Sequence, residues 1–65
     1  MNPLQKARKE KGLSQINAAK GIGISYSMLA KVETGEKNPS KETMWKMARF
    51  YGKTVDELFF AQTVH

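Results

Sequence analysis

The chain contains no cysteine, so neither a disulfide nor a thiolate metal site is available to it. Its single histidine, His65, is the final residue and reads as a solvated tail side chain, because a metal site would need partners that are missing. Prolines occur only at Pro3 and Pro39. No apolar run approaches the about 18 residues of a membrane span. The opening MNPLQKARKE lacks the apolar stretch of a secretory signal, so a cytoplasmic, reducing compartment is expected. Alternating strand patterns, internal repeats and low-complexity linkers are also missing. Catalysis finds no footing, since there is no thiol, no internal histidine, no glycine-rich loop behind a strand and no inward carboxylate pair. Neither an enzyme nor a cofactor is expected, and 65 residues leave little room for an ordinary substrate pocket.

What remains is a small basic chain. Its 65 residues make one domain, 1–65, with a core over about 3–60 and a short tail, 61–65. Such a chain buries only about 60% of its unfolded surface, so stability must come from well-formed helices or from a second copy. Eleven Lys and Arg face six Asp and Glu, a net charge of +5. That balance points to a polyanion, nucleic acid first.

Helix signals run the length of the chain. Asn2-Pro3 opens a first helix carrying Leu4, Ala7 and Lys11, which Gly12 ends. Ser14 caps a second, Gln15 to Ile22, with Ala18, Ala19 and Ile22 inward; Gly21 weakens it and Gly23 makes the turn. Ser25 caps a third, Tyr26 to Thr34, with Leu29 and Val32 inward. Ser40 caps a fourth, Lys41 to Tyr51, with Met44, Met47, Ala48 and Tyr51 inward. Thr54 and Glu57 form a capping box before a fifth, carrying Val55, Leu58 and Phe59. The reading is an all-α, five-helix domain. Its second and third helices, joined by a tight glycine turn, form a helix-turn-helix. The third begins Ser25-Tyr26-Ser27, polar where a buried helix would be apolar. The front of a DNA-reading helix must offer hydrogen-bonding groups, and its N-terminus suits phosphates.

The segments LQKARKEKGLSQ, GISYSMLAKVETG and NPSKETMWKMARFYGKTVDELF resemble the phage-repressor and Cro type of helix-turn-helix domain, the Xre family, with its lambda-repressor-like fold. Four motifs carry the resemblance, in order: Leu13-Ser14-Gln15, Gly23-Ile24-Ser25, Glu33-Thr34-Gly35 and Asn38-Pro39-Ser40. It implies base contacts from Tyr26, Ser27 and Lys31, and phosphate contacts from Gln15, Ser25, Lys37, Asn38 and Ser40. Gln15 would also brace the reading helix, and Arg8 and Glu33 would form an ion pair between the first and third helices. The second helix departs from the family pattern, with Ile16 and Asn17 where acids are usual and Ala18 for a larger aliphatic. Lys41 and Lys53 stand where aliphatics are common.

Trp45, Phe50, Phe59 and Phe60 exceed what so small a core can bury. Trp45, Phe59 and Phe60 are therefore expected at a homodimer interface, and Met28 in packing. The expected function is a sequence-specific DNA-binding transcriptional regulator, a repressor acting as a homodimer on a palindromic double-stranded operator. The alternatives are a protein-binding module, such as an antitoxin or antirepressor target with a regulatory protein partner, and a restriction–modification controller protein.

Overall fold

The structure, a computed structural model, describes residues 2–60. Met1 and the tail 61–65, including His65, lie outside the described residues. Four α-helices follow in order: α1 (Pro3–Glu10), α2 (Gln15–Ile22), α3 (Tyr26–Thr34) and α4 (Lys41–Tyr51). A single π-wound turn, Asp56–Phe60, closes the described chain.

Local chemistry sets the helix boundaries. Asn2, Ser14, Ser25 and Ser40 are all extended N-caps, and each accepts a hydrogen bond from the backbone N–H three residues on. Gly23 ends α2 in the left-handed region at φ 92°, where its N–H and that of Ile24 both reach the Ala19 carbonyl. A side chain there would be strained, so this glycine sets the angle at which α3 leaves α2.

The expected inner residues of α1, α2 and α3 are buried, apart from Lys11, which is exposed and caps the end of α1. In α4, Met47, Ala48 and Tyr51 are buried but Met44 is only half-buried. Phe50 packs against the core instead, and Gly21 explains why. A Cβ on Gly21 would collide with the Phe50 ring, so the glycine that reads as a weak point in α2 is where α4 presses against it. Ala18 and Ala19, 0% and 2% exposed, allow equally close approach elsewhere along α2.

The final segment was expected to be an α-helix and is a π-wound turn. Five residues are too few for α periodicity to establish itself. The capping box is present nonetheless: Thr54 N–H donates to Glu57 Oε1 at 2.9 Å, and Glu57 N–H to Thr54 Oγ1 at 3.0 Å. These bonds hold the Glu57 carboxyl below its ordinary pKa. The turn packs on α1, buries Leu58, half-buries Phe59 and leaves Phe60 43% exposed. Lys53 is held at 3.5 Å by Glu10 of α1. No described helix is long and apolar enough to cross a membrane.

Candidate nucleic-acid interface

The surface that matters begins at Ser25. Its hydroxyl oxygen accepts from Met28 N–H at 3.0 Å, which leaves the hydroxyl hydrogen free to donate outward. The remaining N–H groups of the first turn of α3 open toward an outside acceptor. Tyr26 and Ser27 follow directly, both exposed, with Tyr26 at 53%. Met28 is half-buried and packs against the core, as expected. Lys31 is exposed on the last turn of α3. Its carbonyl accepts from Thr34 Oγ1 at 3.1 Å and from Lys37 N–H at 3.3 Å. The loop carrying Lys37 and Asn38 is thereby tied to the end of α3, and both residues are exposed. Among the described residues, no carboxylate forms an ion pair with Lys31 or Lys37. One expected phosphate ligand is occupied locally. The Ser40 hydroxyl accepts from Thr43 N–H and donates to Thr43 Oγ1, so its side chain serves its own helix start.

Behind this surface lies a buried polar hub centred on Glu33, which is 1% exposed. Arg8 reaches from α1 and donates from Nε to Glu33 Oε2 at 2.8 Å and from Nη2 to Oε1 at 3.2 Å, the bidentate geometry a guanidinium favours. Gln15, first residue of α2, donates from Nε2 to Glu33 Oε1 at 2.9 Å. Arg8 Nη1 also donates to the Leu13 carbonyl at 3.0 Å, which fixes the α1–α2 connection. Asn2 caps α1 with its oxygen and donates from Nδ2 to the Glu33 carbonyl at 2.6 Å. One carboxylate thus joins α1 and α2 to the rear of α3. A charge this deep is tolerable because both carboxylate oxygens meet donors, two at Oε1 and one at Oε2.

The ion pair of Arg8 and Glu33 stands as the sequence implied, and Gln15 does brace α3 through Glu33. Asn2 and the Leu13 carbonyl were missed. A side-chain amide that caps one helix and also reaches another 31 residues away leaves no local sequence signal. Tyr51 was read only as core. Its buried hydroxyl has no hydrogen-bond partner among the described residues. Burial and the nearby Glu33 charge push its pKa up to about 12, with Arg8 acting in the opposite direction. Trp45 is 54% exposed on α4, on the side facing α2, whereas Phe59 and Phe60 belong to the turn against α1. Ile16 faces outward at 53% exposure. Among the described residues no group of His, Cys, Asp or Glu is placed to hold a metal.

The helix-turn-helix family model matches residues 4–58 of the chain. The chain is 39% identical over 51 residues to the cryptic phage CTXphi transcriptional repressor RstR of Vibrio cholerae, a match covering 78% of this chain and 46% of that protein. It is 40% identical over 55 residues to the HTH-type transcriptional regulator DdrOP3 of Deinococcus deserti, covering 85% and 43%. An uncharacterized HTH-type transcriptional regulator of Methanocaldococcus jannaschii is 31% identical over 58 residues, covering 89% and 88%. The chain spans less than half of the first two relatives and most of the third. The exposed polar front of α3, the glycine turn from α2 and the family match lead to one conclusion: the chain belongs to the helix-turn-helix family, as a DNA-binding domain of the phage-repressor and Cro (Xre) type found in transcriptional regulators.

Proposed function

We propose that this domain represses transcription in the cytoplasm by occupying a twofold-symmetric operator as a homodimer. The α3 helix of each copy lies in the major groove, with the two grooves about 34 Å apart on one face of the duplex. Tyr26, Ser27 and Lys31 read base edges, Tyr26 against a thymine methyl and Lys31 against guanine O6 and N7. Ser25, Lys37 and Asn38 hold phosphates. Gln15 joins them through the second hydrogen of the amide nitrogen that bonds Glu33. Ser40 would contribute through its backbone N–H, since its hydroxyl serves Thr43. Phe60, with Phe59 behind it, forms the contact between copies. Trp45 lies on a different packing pair and is considered below.

The observation that carries this reading is the division within α3. Its rear is locked by Leu29, Val32 and Glu33, while its front is solvent-facing, polar and cationic. RstR is named a transcriptional repressor, which favours the repressing sign. The test is selection from a random duplex pool at physiological salt, followed by sequencing. An enriched inverted repeat with half-sites about one helical turn apart is expected. Recovery of unrelated sequences, bound only at low salt, would overturn it, because charge alone would then supply the affinity.

A further inference from the structure

An open groove of about 290 Å³ runs between α2 and α4, lined by Gly21, Ile22, Trp45, Lys46, Arg49 and Phe50. The DNA reading uses none of these residues. The floor is apolar, made by Ile22 and the Phe50 ring that Gly21 admits. The rim is cationic. The Arg49 guanidinium stacks over the Trp45 ring at 4.9 Å, and Lys11 Nζ lies 5.3 Å from the centre of the Phe50 ring.

We infer that this groove is a docking site for an acidic peptide segment of another protein, one with an aliphatic or aromatic side chain beside a carboxylate. Three features of the groove select that chemistry. The Arg49 guanidinium lies over the Trp45 ring and, among the described residues, no acid pairs with it, so its N–H groups remain for a carboxylate. The one carboxylate nearby in sequence on α4, Glu42, is held by Lys46 at 3.7 Å, so the rim keeps unmatched positive charge. Trp45 is the kind of side chain that anchors protein contacts: large, rigid, pre-positioned by its cation, and 54% exposed. A second copy fits less well, because a symmetric contact through this patch would bring Arg49 and Lys46 of each chain toward those of the other. DNA fits less well because its backbone offers no apolar group to fill the floor.

The proposal stands independently of the DNA reading and has its own test. A displayed library of random peptides is selected on the immobilised chain, and the recovered peptides are measured against variants. Peptides pairing Asp or Glu with Leu, Phe or Trp are expected. Their affinity should fall roughly tenfold or more in Arg49→Glu and in Trp45→Ala. It should hold in Lys37→Ala, which removes a charge elsewhere. Both groove side chains are half or more exposed or solvent-facing, and thermal melts of the two variants check that the domain remains folded. Equal losses in Lys37→Ala would overturn the proposal, since net charge would then explain binding. So would basic or featureless peptides, or a wild-type self-association that Arg49→Glu or Trp45→Ala abolishes, which would give the groove to a second copy.

Discussion

Glu33 and Lys31 sit two residues apart on α3 and live in opposite environments. Glu33 is 1% exposed and bonded to Arg8 and Gln15 from two other helices, while Lys31 projects into solvent without an ion-pair partner among the described residues. The same nine-residue helix therefore has a rear that fixes its position and a front that is free to read. The difference teaches where substitutions can be tolerated. Changes at the rear act on the fold and reach DNA only through it; changes at the front leave the fold alone.

The sharpest way to break this contrast is Glu33→Ala. It strands the Arg8 guanidinium, 12% exposed, in the interior. Breaking a buried pair from one side costs about 3–5 kcal/mol. A chain of this size has roughly 3–10 kcal/mol in all. We expect a largely unfolded protein at 37 °C by circular dichroism, whereas Lys31→Ala should melt within about 0.5 kcal/mol of wild type.

A second way concerns Gly21. Alanine is the better helix former by about 1 kcal/mol, but here its methyl meets the Phe50 ring. Gly21→Ala should therefore be more favourable, by about 1 kcal/mol, in a Phe50→Ala background than in wild type. Urea melts of the four proteins in that double-mutant cycle measure the coupling; additivity would mean the ring moves aside freely.

The smallest expected effect is at Tyr51. Its hydroxyl has no hydrogen-bond partner among the described residues, so Tyr51→Phe should be neutral or slightly stabilising near pH 7. The pH dependence has a definite sign. The folded pKa is pushed up to about 12 from the ordinary 10.0, so the unfolded chain loses this proton first as pH rises. Stability assigned to the phenol is whole below pH 10.0 and declines toward pH 12. Tyr51→Phe should remove that part of the alkaline slope, checked by melts across the range.

How much of this was written in the residues varies by region. The caps Ser14, Ser25 and Ser40 gave the starts of α2, α3 and α4, and Gly23 the end of α2, because capping is local chemistry. The partnership of Arg8 with Glu33 was legible from the family resemblance together with Glu33 being the sole acid in its helix. Long-range fits were not legible. Nothing near Gly21 announces Phe50, 29 residues on, and nothing near Asn2 announces the Glu33 carbonyl. Met44, expected inward, is only half-buried for the same reason: periodicity gives a face, but the neighbouring helix decides where that face closes. At the reading surface the exposed side chains were legible by type, and their tie to the loop through the Lys31 carbonyl was not.

The most direct test of the central claim is a binding survey of Tyr26→Ala, Lys31→Ala and Lys37→Ala across all single-base changes in a selected half-site. The account predicts that the first two relax discrimination at particular positions, by roughly 1–3 kcal/mol each. It predicts that Lys37→Ala weakens every sequence about equally and reduces the salt slope by about 1. Uniform loss in all three variants would contradict it, because the front of α3 would then supply charge and no reading.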